Sequence, residues 1–143
     1  MITEVDATKG YIELSLFTPT AADLTGWTIT TTAGASLLPE GSLLAPAQPL
    51  ILTRNAAAFT REFGDYPNLV ELPSLTLSPQ RDRVELRSGP DLVDRLAWGG
   101  AMDGWTLSGR RTLCRNPAGQ DTSSYLDWTL FSAPSPGAPG CGR

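Results

Sequence analysis

The chain has 143 residues, of which 41% are hydrophobic and 18% charged, a balance that suits one domain with its own core and excludes a disordered chain. A net charge of −4 and a pI of about 4.7 argue against a nucleic-acid partner, which usually meets a basic surplus able to displace counterions from phosphates. Histidine is absent, which removes the commonest general base, the commonest metal ligand and every Ser-His or Cys-His nucleophile pair.

The amino terminus, "MITEVDAT", has neither the basic start nor the apolar run of a signal peptide. It enters a strand pattern at once, as a domain cut from a longer protein or a mature form would. "YIELSLF" then alternates Ile12, Leu14 and Leu16 on one face with Tyr11, Glu13, Ser15 and Phe17 on the other. In "DLTGWTITTTAG", Gly26 permits a tight turn. Trp27, Ile29 and Thr31 then share a face, so Trp27 is expected as a core filler at a strand start.

"PLILTRN" is a further short strand. The next run, "NAAAFTREFG", breaks the alternation. Asn55 is a good N-cap and Gly64 a good residue just past the end, which predicts one short helix near residues 56–63. Phe59 and Phe63 lie four apart and would dock it on a sheet.

"DRVELRS" places Val84 and Leu86 on one face and Arg83, Glu85 and Arg87 on the other. "LVDRLAW", "RTLCRN" and "LDWTLF" complete the strands. Short alternating runs bounded by Gly, Pro, Asn, Asp and Ser predict an all-β antiparallel sandwich. Residues 1–133 read as that domain. Residues 134–143, rich in Pro, Gly and Ser, read as a tail or linker without a core of its own. No stretch approaches the 18 or so apolar residues of a membrane span.

Candidate sites are few. Asp91, Asp94 and Asp103 lie near one another in sequence. Turn formation at Asp91, and pairing of Asp94 with Arg95 or Arg83, are simpler expectations than acid–base catalysis. No loop supplies the oxygen cluster that Ca²⁺ needs, and no Gly-rich run has the strand-to-helix setting of a phosphate cradle. No cofactor is expected.

Arg81, Arg83 and Arg87 share a strand face with Glu85, while Arg110, Arg111 and Arg115 lie on or beside another strand. Together these could form a basic binding patch. A solvated sheet face with acid–base pairs is the plainer expectation. Trp128 is expected in the core. Trp98, at a strand end, and Trp105, in a loop, are expected to be exposed, either stacking on a sugar or anchoring a partner. Cys114 and Cys141 could pair, which would imply an oxidising compartment, or stay apart.

Several motifs in order resemble the lamin tail domain family. These are "ITEVD", "GYIELSL", "DLTGWTIT", "LPEGSLLAPAQPLILTRN", "AAFTREFG", "LTLSPQRDRVELRSGPDLVDRLAWGG" and "LDWTLFSAPSPGAPG", spanning roughly residues 2–139. Two positions depart from the family pattern. Arg81-Asp82 stands where Gly-Asp is usual, and Trp98-Gly99 where Tyr-Gly is usual. The resemblance implies an immunoglobulin-like β-sandwich that is not catalytic. It further implies an interaction module, often appended to secreted or membrane-linked proteins.

The reading is therefore a non-enzymatic, protein-binding accessory domain of a larger exported or cell-surface protein. Binding would involve loops, a sheet edge and residues such as Trp98, Trp105, Arg83, Arg87 and Arg111. The alternative is a carbohydrate-binding module using Trp98 and Trp105.

Overall fold

The computed structural model describes residues 1–100, 104–107 and 111–138. The strands are β1 (Ile2–Asp6), β2 (Tyr11–Leu14), β3 (Ala22–Asp23), β4 (Thr28–Thr31), β5 (Gly34–Leu37), β6 (Leu43–Leu44), β7 (Leu50–Thr53), β8 (Leu69–Glu71), β9 (Asp82–Ser88), β10 (Asp91–Trp98), β11 (Thr112–Arg115) and β12 (Trp128–Phe131), with a helix α1 (Ala56–Phe63) between β7 and β8. One sheet has the order β12-β11-β1-β2-β7-β8, a second β10-β9-β4-β5, and β3 pairs with β6. All pairings are antiparallel except β7 with β8.

The chain is an all-β sandwich. Ile2, Val5, Ile12, Leu14 and Leu113 from the larger sheet meet Ile29, Val84, Leu86, Leu96 and Trp98 from the smaller in one buried cluster. Full burial of each such aliphatic side chain contributes roughly 1.5–3 kcal/mol. Trp128 is buried in this core, and Trp27 packs against it half-buried, just before β4 begins.

The helix forms where its sequence predicts. Asn55 accepts the Ala58 N–H, and Gly64 ends the helix at φ 88°. Phe59 and Phe63 both contact Tyr11 edge-on. This second apolar cluster covers β2 and β7 at Tyr11 and Ile51 on the outer face of the larger sheet, and every residue of β1, β2 and β7 is buried. Tyr11 and Glu13 do lie opposite Ile12 and Leu14 on β2, as the alternation requires, but they are covered rather than solvated.

The described end of the chain is also docked. Ser135 and Gly137 hydrogen-bond to Glu4 and Glu13, and Tyr66 donates to the Pro136 carbonyl. Residues 134–138 thus lie against the sandwich instead of running free. The sequence shows only their turn-rich composition, because their partners are 70 to 131 residues away. Cys114 is buried and disulfide-bonded, and Cys141 lies outside the described residues.

Candidate functional site: the seam beside β10

β10 ends the smaller sheet and β12 ends the larger. Between β10 and the segment 115–128 lies an open groove of about 630 Å³, lined in part by Leu92, Val93, Arg95, Asp121, Ser124 and Tyr125. The register of β10 on β9 shifts between Leu92 and Asp94. Such a bulge adds one residue, bends the strand and re-aims the side chains beyond it. From Asp94 onward, burial alternates through Arg95, Leu96, Ala97 and Trp98, which turns Asp94 inward.

The floor of the groove is an ion pair between the sheets. Arg115 Nη2 donates to both Asp94 carboxylate oxygens at 2.9 Å. Its Nε donates to the Ile2 carbonyl and its Nη1 to the Gln120 carbonyl, each at 2.9 Å. The guanidinium lies 4.6 Å from the Trp128 ring centroid. Asp94 also accepts the Ile2 N–H at 2.7 Å. Burial pushes the Asp94 carboxyl above its ordinary range, while the Arg115 charge and the Ile2 N–H pull it back.

One wall is the loop ahead of β12. Asp127 accepts from the Thr122 N–H and hydroxyl, from Gln120 Nε2 and from the Ser124 N–H. Ser124 and Asp127 form a capping box around the 3-10 turn Tyr125–Asp127. Burial raises the Asp127 carboxyl, but these hydrogen bonds outweigh it and leave the group below its usual range. Asp121 and Asp127 lie 3.5 and 3.6 Å from Arg115. The guanidinium therefore occupies the centre of the three carboxylates. Among the described residues no group of three His, Cys, Asp or Glu could hold a metal ion.

The rims carry exposed apolar groups, Leu92 and Val93 on β10 and Tyr125 opposite. Trp105 is half-buried. Its Nε1 donates to the Tyr125 carbonyl at 3.1 Å, and its ring meets the Tyr125 ring edge-on at 6.2 Å.

Several sequence expectations change here. Trp98 is not exposed. It has 0% accessibility, and its Nε1 donates to the Ser78 carbonyl at 2.9 Å. The alternation along β10 continues to its last residue and carries the ring inward. Gly99 follows at φ 82°, where an added Cβ would lie 2.0 Å from the Gln80 carbonyl, so the exit from β10 requires glycine. Asp94 pairs with Arg115, not with Arg95 or Arg83, because the bulge turns it away from the outer face.

Arg83 and Arg87 flank Glu85 at 3.4 and 2.8 Å on the outer face of β9, the acid–base pairing of a solvated sheet face. Arg111 is exposed at the entry to β11, in the other sheet, while Arg115 is buried. The structure therefore separates the two groups of arginines between the two sheets. Asp91 is exposed at the start of β10. Arg110 and Asp103 lie outside the described residues.

Sequence reasoning missed Asp121, Asp127 and Tyr125. The Ser-x-x-Asp spacing of Ser124 and Asp127 is a capping-box signal that was available. Nothing local marks the pairing of Arg115 with Asp94. No protein-family model and no curated protein matches the chain.

Proposed function

We propose that the chain is a non-catalytic interaction module, an accessory domain of a larger exported or cell-surface protein, that binds a protein partner along the β10 seam. The observation that carries this reading is the edge strand β10 lying beside a groove whose two rims expose Leu92, Val93 and Tyr125. An edge strand offers backbone donors and acceptors to an extended segment, and apolar rims add contact area. Asp94 and Asp127 are committed to Arg115 and to backbone N–H groups, which suits a rigid binding floor better than proton transfer. The ordered motifs that resemble lamin tail domains favour the same class.

A second reading has its own support. The exposed Tyr125 ring, braced by Trp105, stands beside Ser123, Ser124 and Arg95, a combination that could stack on a sugar and hydrogen-bond its hydroxyls.

The test is selection of displayed peptides against the full chain, followed by amide-shift mapping and a glycan array. Peptides that perturb Leu92–Arg95 and Ser123–Tyr125, and are lost in Val93→Lys, support the protein-binding reading. Glycan binding that is lost in Tyr125→Ala but kept in Val93→Lys favours the second. Binding that maps elsewhere overturns both.

A further inference from the structure

Glu4 on β1 and Glu13 on β2 are register partners, and both are fully buried. Directly opposed side chains on adjacent strands start only about 5 Å apart. Glu4 accepts the Tyr11 hydroxyl, the Ser135 N–H at 2.7 Å and the Ser135 hydroxyl at 2.7 Å. Glu13 accepts the Thr3 hydroxyl at 2.6 Å and the Gly137 N–H at 2.7 Å. Tyr66 fixes the intervening residue by donating to the Pro136 carbonyl at 2.5 Å. Residues 135–137 therefore lie across both carboxylates.

The donors in these bonds are all neutral. Among the described residues no cation pairs with Glu4 or Glu13. Asp6 on β1, Tyr11 on β2 and Tyr66 after α1 are the other titratable groups that act on the pair. Across the neighbouring strands, Ile51 of β7 stands opposite Glu13 and the disulfide-bonded Cys114 of β11 opposite Glu4. Lys9, in the β1–β2 turn, is paired with Glu62 of α1. Arg143 lies outside the described residues.

We propose that Ser135–Gly137 form a pH-sensitive strap, which closes over the Glu4–Glu13 pair while the pair keeps a proton and loosens once both carboxylates are charged. Two adjacent carboxylates under cover, without a cation, cannot both ionise cheaply. Opening the strap readmits water and lets both charge. The closed form therefore holds a proton more tightly than the open form, and acidification favours closure.

The carboxyls lean the same way. Burial, with the Glu4 charge adding to it, raises Glu13 from 4.5 to about 7 against the Thr3 and Gly137 hydrogen bonds. Burial also raises Glu4. Opening should grow between those two Glu13 values and level off above them, no more steeply than about tenfold per pH unit for one proton.

The fit of the strap is close. Gly137 has φ 87°, and a Cβ there would lie 2.4 Å from the Tyr66 ring.

The experiment is amide hydrogen exchange and carboxyl-carbon NMR on the oxidised full chain. Rates are normalised to the unstructured peptide rate at each pH, and Gly137 is read where it is less protected than the core residue Leu52 of β7, so that its exchange reports local opening and not global unfolding. Protection of Gly137 should fall roughly ten- to a hundredfold between about pH 4.5 and pH 7, and the Glu13 carboxyl carbon should titrate near the upper value. In Glu13→Gln, whose amide oxygen can still accept the Gly137 N–H, the fall should shrink to under about threefold.

A flat Gly137 protection factor across this pH range in the wild type overturns the proposal, as does a Glu13 carboxyl that titrates at its ordinary value. An unchanged fall in Glu13→Gln overturns it too. If that variant does not fold, the two wild-type measurements decide.

Discussion

Arg115 and Asp94, 21 residues apart, bind each other through a single guanidinium nitrogen that reaches both carboxylate oxygens at 2.9 Å. Arg115 belongs to the larger sheet and Asp94 to the edge of the smaller one. The side chains are 1% and 4% accessible. The pair therefore fastens one sheet to the other beneath the groove, in the setting where loss of one partner costs most.

Asp94→Ala should lower the unfolding free energy by about 2–4 kcal/mol, because Arg115 loses its nearest carboxylate in the interior and keeps only the longer contacts to Asp121 and Asp127. Replacing both partners, as in Asp94→Leu with Arg115→Met, should recover most of that loss. Urea unfolding of the two variants and the wild type checks this. A loss below about 1 kcal/mol in Asp94→Ala would mean that the pair is solvated and the seam looser than described.

Trp98 and Tyr125 should separate cleanly as core and rim. Trp98→Ala removes a fully buried ring and its hydrogen bond to Ser78, and should cost about 3–5 kcal/mol. Tyr125→Ala removes an exposed ring braced on Trp105 and should stay within about 1 kcal/mol. Thermal melts of the two variants decide the matter. Equal losses would contradict the burial pattern of β10.

Global stability should fall as the pH rises from about 4.5 to 7. Glu13 has a folded pKa raised above its unfolded value, so in this window the native state binds more protons than the unfolded state. Stability is then greatest below the unfolded value and reaches its lower plateau above the folded one. The loss from Glu13 is on the order of 3 kcal/mol at most. Denaturant midpoints across the window measure it, and Glu13→Gln should flatten the curve. A midpoint that rises with pH in both proteins would assign the dependence to other groups.

Gly137→Ala should dislodge the docked end of the chain without unfolding the sandwich. The residue sits at φ 87° with Tyr66 directly over it, a conformation that costs an L-residue about 1 kcal/mol before any clash is counted. Limited proteolysis should cut the variant after residue 133 faster than the wild type, with the near-ultraviolet spectrum of the core unchanged. Cleavage rates that match the wild type would show that this approach is not what holds the segment.

Much of the fold could be read from short stretches of sequence. Period two marks β2, β4, β9 and β10, because successive side chains on a strand point to opposite faces. Asn55 and Gly64 bound the helix, because caps act on backbone groups a few residues away. Trp128 falls in the core as its position in a closing strand suggests. These features depend on interactions within about four residues, so the sequence by itself determines them.

The site depended on distances the sequence does not display. Which way Asp94 and Trp98 face was decided by a bulge that exists only against β9. The partner of Arg115 was decided by the stacking of two sheets. The adjacency of Glu4 and Glu13 follows from the β1–β2 register, and their cover from Ser135 and Gly137, more than 120 positions along the chain. Only the tertiary structure settled these points, because alternation fixes which residues share a face, whereas pairing and packing decide whether that face meets water, a second sheet or the chain's own end.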